Sequence, residues 1–217
     1  MKITANRRIE TVKSGNGWAI LQTKPSIRTL KFVDRYAYCH KLQLALPYVV
    51  FGCTRKFIGE YRLPFLGFSN KPIEKDNDLI YFPLLPNVHS SWEVCMHPNF
   101  FHAIKANSFE ELCGLFWMME FKMYGDLRSS RWISTVLLAD TFLKSYKNWE
   151  TITLQMGSPD FMLDFDKLYQ HIVGGKNGRD FLPVQFGEVV DKLKARKTCE
   201  EITADRVQDE PWYSDYQ

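Results

Sequence analysis

At Ser108 the hydrophobic period of this chain changes, and that change limits the folds open to it. Before Ser108, short apolar runs are separated by polar turns. Trp18 to Thr23 and Arg28 to Val33 are predicted strands, divided by a Lys24-Pro25-Ser26 turn. Tyr48 to Thr54 is a predicted buried strand, and Phe57 to Leu66 is expected to pair with it across Arg55-Lys56. Leu79 to Pro83 is the last strand. After Ser108, apolar residues recur at helical spacing. Ser108-Phe109-Glu110-Glu111 reads as a capping box, in which a hydroxyl and a carboxylate satisfy the first free backbone N–H groups. Phe109, Leu112, Cys113, Phe116, Met119 and Met123 share one face of the predicted helix, which Gly125 ends. Further helices are predicted over Trp132 to Tyr146, Phe165 to Ile172 with Gly174-Gly175 as C-cap, and Phe186 to Leu193. Strands followed by helices define an α+β fold. Short turns between consecutive strands favour an antiparallel meander sheet with flanking helices.

Composition narrows the function classes. With 217 residues, 45% hydrophobic and 24% charged, the chain can bury a full core. Its 15% aromatic content points to an aromatic-rich core and interfaces. The net charge of +3 is small and dispersed, so nucleic acid is not an expected partner. Five cysteines without paired spacing make no disulfide framework, so a reducing, cytoplasmic location is expected. No apolar run approaches the roughly eighteen residues of a membrane span. Phosphate-loop, dinucleotide, zinc-protease and serine-hydrolase motifs are absent from the sequence.

One loop carries chemistry. The strand Leu79-Ile80-Tyr81-Phe82-Pro83 runs into Leu85-Pro86-Asn87-Val88-His89-Ser90-Ser91-Trp92-Glu93-Val94-Cys95-Met96. A thiol at Cys95 can carry an acyl group, and an amide N–H at Asn87 can stabilise the oxyanion formed when a nucleophile attacks that carbonyl. The alternative for Cys95 is a small buried apolar residue. The alternative for Asn87 is an Asx-turn. His89 and His97 flank the thiol; either can act as a base or lower the thiol pKa, or be a plain surface-loop histidine. Cys95, His97 and His102, with Cys39-His40, match no zinc-site spacing, so no metal is expected.

The Asn87-to-Cys95 interval resembles the active-site loop of the ubiquitin-conjugating (UBC) fold, where a His-Pro-Asn tripeptide precedes the cysteine. The likeness is nearer to divergent bacterial and phage relatives of the PRTRC system protein B type, and it covers roughly Leu46 to Gly125. Leu46-Pro47-Tyr48-Val49-Val50-Phe51-Gly52 resembles the family's buried strand. There are departures. Leu85 stands for the His. Trp92 stands where UBC-like loops have Gly, so the turn is expected to differ or to be built by Ser90 and Ser91. His97 stands where the bacterial relatives often have Gly.

The resemblance implies a UBC-like α+β domain over residues 1–149 and a helical extension over 150–217, ending in an acidic, aromatic tail. It implies a thioester carrier for a small ubiquitin-like modifier of a bacterial or mobile-element system. Cys95 and Asn87 would be its catalytic residues. An ATP-using activating enzyme and the modifier would be its partners, with no organic cofactor at this step. The alternatives are a catalytically inactive accessory protein of a plasmid or phage, and a viral structural or assembly protein.

Overall fold

The computed structural model describes residues 9–34, 36–55, 61–83, 85–88, 91–94, 108–122, 147–151, 153–154 and 183–196. Among them are nine strands: β1 (Ile9–Gly15), β2 (Trp18–Thr23), β3 (Ser26–Val33), β4 (Cys39–Leu46), β5 (Tyr48–Arg55), β6 (Tyr61–Ser69), β7 (Leu79–Ile80), β8 (Glu120–Lys122) and β9 (Val184–Gln185). Helix α1 spans Phe109–Phe116, and residues 186–196 are also helical. The protein is thus a mixed α+β fold with mostly antiparallel sheets.

The main sheet has the order β1-β2-β5-β6. A consecutive meander does not describe it, because the chain leaves after β2, builds the β3–β4 hairpin, and returns as β5. The hairpin forms a second sheet, β4-β3-β8, in which β8 runs parallel to β3. The third pairing, β7 with β9, brings the segment before the 186–196 helix back to Leu79 and Ile80. Tyr81 and Phe68 exchange both backbone bonds, at 2.7 and 2.8 Å, which attaches the end of β7 to β6.

Burial explains the placement. All six residues of β2 are buried, and β5 is buried from Val49 to Thr54, because helices cover both faces of these central strands. On one face, Leu112, Cys113 and Phe116 of α1 lie against β5, with Phe51 and Phe116 rings edge-on at 5.7 Å. On the other face Leu193 reaches Gly52, where any Cβ would come within 2.9 Å of its methyl carbon. Phe186, Val189, Val190 and Leu193, the predicted stripe, all join the same core.

The second sheet is closed at its β4 edge. Glu150 Oε1 accepts from Gln43 N at 2.7 Å, Thr153 Oγ1 from Ala45 N at 2.8 Å, and Trp149 Nε1 donates to Ala45 O at 3.0 Å. These bonds satisfy the outward groups that an open edge would leave exposed.

The Ser108 cap forms as expected, its Oγ accepting from Glu111 N at 3.1 Å. The helix does not continue to Gly125. It ends at Phe116, and Glu120–Lys122 becomes β8. Phe121 decides this: its ring lies 5.6 Å from Phe32 and 5.5 Å from Phe116, so a strand at this point fills the gap between hairpin and helix. The helices expected over Trp132 to Tyr146 and Phe165 to Ile172 lie outside the described residues, as does Met123.

Candidate functional site

The candidate loop begins where β7 ends. Leu85 and Val88 are fully buried, and Val88 N donates to Leu85 O at 3.0 Å, which closes a turn around Pro86 and Asn87. Val88 then bridges Val94 in antiparallel fashion. The loop is therefore pinched shut between two residues, one directly following Asn87 and one directly preceding Cys95. Its return limb docks on β6: Trp92 O accepts from Leu66 N at 3.0 Å, and Val94 N donates to Leu63 O at 3.1 Å.

Trp92 corrects one expectation. Only Gly is expected to suit a positive φ here, but Trp92 adopts that conformation itself, with φ 73°. A bulky residue there is an outlier that surrounding structure must hold in place. The holding contacts are aromatic. The indole stacks on Phe65 at 5.3 Å and 8°, meets Phe82 edge-on at 5.3 Å, and is only 9% exposed.

Asn87 is half-buried, and its Nδ2 donates to Glu120 O at 3.1 Å. The amide thus anchors the loop to β8, a contact that becomes visible only once β8 is recognised as a strand. Glu93 is paired with Arg196 at 2.9 Å, which links the loop to the end of the 186–196 helix. Cys95, His89 and His97 lie outside the described residues, as does His102.

A second polar constellation gives His40 a partner that the sequence did not suggest, Asp34. In the β3–β4 turn, Asp34 Oδ2 lies 2.9 Å from His40 Nε2, while Oδ1 accepts from Tyr36 N and Tyr38 N at 2.8 and 3.0 Å. The His40 ring and these two N–H groups hold the Asp34 carboxyl below the usual carboxylate range. The turn presents Tyr36 and Tyr38 to solvent. Cys39 is exposed at the start of β4.

Comparison with protein-family models, curated proteins and solved structures finds no match. Among the described residues, no helix is long and apolar enough to cross a membrane.

Proposed function

We propose that the chain is a UBC-like thioester carrier, with Cys95 as acyl acceptor and Asn87 as the oxyanion donor. The observation that carries this reading is the Val88–Val94 bridge. The bridge joins the residue that follows Asn87 to the residue that precedes Cys95 in the sequence, and so closes the loop between them. The succession β5, β6 and the Tyr81 bridge is antiparallel and consecutive, and it leads directly into the loop, which also supports a UBC-like arrangement over this stretch.

In this reading the Cys95 sulfur attacks the activated C-terminal carboxyl of a small modifier, forming a thioester as the activating group leaves. An amine then attacks the thioester carbonyl. The oxyanion collapses, the C–S bond breaks, and the thiolate departs. Asn87 carries two N–H groups on one nitrogen. The bond to Glu120 O fixes the amide plane, and an oxyanion donor needs that orientation set in advance.

The test is an ATP-dependent charging assay with the activating enzyme and ubiquitin-like protein encoded beside this chain. A thiol-labile adduct is expected, lost in Cys95→Ala. Asn87→Ala should charge but discharge to lysine about 100-fold more slowly. A partner set shown to be active that yields no adduct favours the second reading, an accessory protein in which the loop is structural. The Asn87–Glu120 bond is the observation on that side, because it gives the amide a structural task.

A further inference from the structure

We infer that Cys53 and Cys113 form an oxidisable dithiol that hydrogen peroxide converts to a disulfide joining β5 to α1. Their Sγ atoms are 3.9 Å apart, and both side chains are fully buried in the core between sheet and helix. A disulfide needs about 2.05 Å, so the sulfurs must close by roughly 2 Å. Cys53 faces α1 on the same side of β5 as Phe51, and Cys113 sits on the inward face of the helix beside Phe116.

Burial raises the Cys113 thiol well above its ordinary value. Both buried thiols stay protonated and unreactive in the closed fold, so the peroxide oxidises them only when local opening of the helix exposes them and lets one ionise. One sulfur attacks the peroxide oxygen, the O–O bond breaks, and water leaves behind a sulfenic acid. The second thiol attacks that sulfur, the S–S bond forms, the S–O bond breaks, and a second water carries off the remaining protons. Two thiols lose two electrons and the peroxide gains them.

The consequence reaches the candidate loop. The cross-link pins the helix whose end runs into β8, and the β8 carbonyl of Glu120 holds Asn87. The inference itself rests on the thiol geometry and not on the thioester reading.

The experiment uses the full chain with hydrogen peroxide in sub-denaturing urea, which permits local opening. It is followed by denaturation, alkylation and peptide mapping by mass spectrometry. The expected product is a Cys53–Cys113 linked peptide, lighter by two hydrogens and reversed by reductant. With the cysteines 60 positions apart in the chain, the oxidised form should melt roughly 10 °C higher. Cys53→Ala and Cys113→Ala, tested separately, should each abolish the peroxide-dependent rise. Pairing of either cysteine with another residue overturns the inference. So does sulfinic acid at Cys113 without a cross-link, or persistence of both as alkylatable thiols.

Discussion

Trp92 sets two effects of opposite sign against each other, and substitution separates them. Its left-handed backbone, φ 73°, costs about 1–2 kcal/mol for any residue with a Cβ. Its ring, 9% exposed and packed against Phe65 and Phe82, repays more: removing a buried Trp side chain costs about 3–5 kcal/mol. Trp92→Ala loses the ring and keeps the backbone penalty, so it should destabilise by about 4 kcal/mol. Trp92→Gly also loses the ring but relieves the backbone. Allowing for the extra freedom of an unfolded glycine, it should recover about 1 kcal/mol of that loss. The expected order of stability is wild type, then Gly, then Ala. Urea unfolding followed by far-ultraviolet circular dichroism measures all three by their midpoints at constant slope. If Ala equals or exceeds Gly, the left-handed backbone is wrong. If Gly matches the wild type, the aromatic packing does not hold the loop.

Asp78 is held at about 2, first by Lys71 and then by the Glu74 and Lys75 N–H groups, against an ordinary value of 3.8. Because its folded pKa is depressed, its contribution is whole above about pH 4, falls as pH drops toward 2, and is gone below that. The shift corresponds to about 2 kcal/mol at most, and less in practice because the Lys71 side chain is 62% exposed and screened. Asp78→Asn should therefore cost about 1–2 kcal/mol at pH 7 and flatten the urea midpoint between pH 4 and 2; an unchanged pH profile refutes the assignment. Trp149→Phe keeps the buried ring but removes the donor to Ala45 O, and should cost about 1–3 kcal/mol in the same titration. Hydrogen exchange should show the β4 amides of Gln43 and Ala45 opening sooner, and protection equal to wild type would mean that Trp149 does not close that edge.

The sequence was most legible where one residue type has one local use. Ser108 caps α1 as its hydroxyl predicts, and the Phe186, Val189, Val190 and Leu193 stripe is buried as its period predicts. It was least legible where tertiary contacts override a local pattern. β1 escapes detection because a register shift between Thr11 and Lys13 breaks its alternation, leaving Ile9 and Val12 three apart. β4 is different: Leu42, Leu44 and Leu46 alternate cleanly into the core, so that signal is present in the sequence. β8 is too short to show a period at all, and Met119 continues the helical spacing of α1 right up to it. The anchoring of Asn87 could not be read without β8, and neither could the Trp92 conformation, since its partners Phe65 and Phe82 come from β6 and from the segment after β7.

The contacts that fix the candidate loop are unequal, and their ranking says what a partner or a substitution can move. The Arg196–Glu93 pair joins side chains that are 35% and 42% exposed, and such pairs contribute little beyond about 0–1 kcal/mol. The two backbone bonds to β6 contribute about 1 kcal/mol each, and the Trp92 ring several times that. The return limb therefore holds its position on β6 even when the 186–196 helix lets go of it. Asn87 belongs to the other limb, where the fully buried Leu85 and Val88 hold the backbone and the side-chain bond to Glu120 O adds a tie to β8. That bond depends on Phe121 staying wedged between Phe32 and Phe116. A change at the end of α1 thus acts first on the Asn87 side chain, while the Val88–Val94 bridge keeps the two limbs of the loop together.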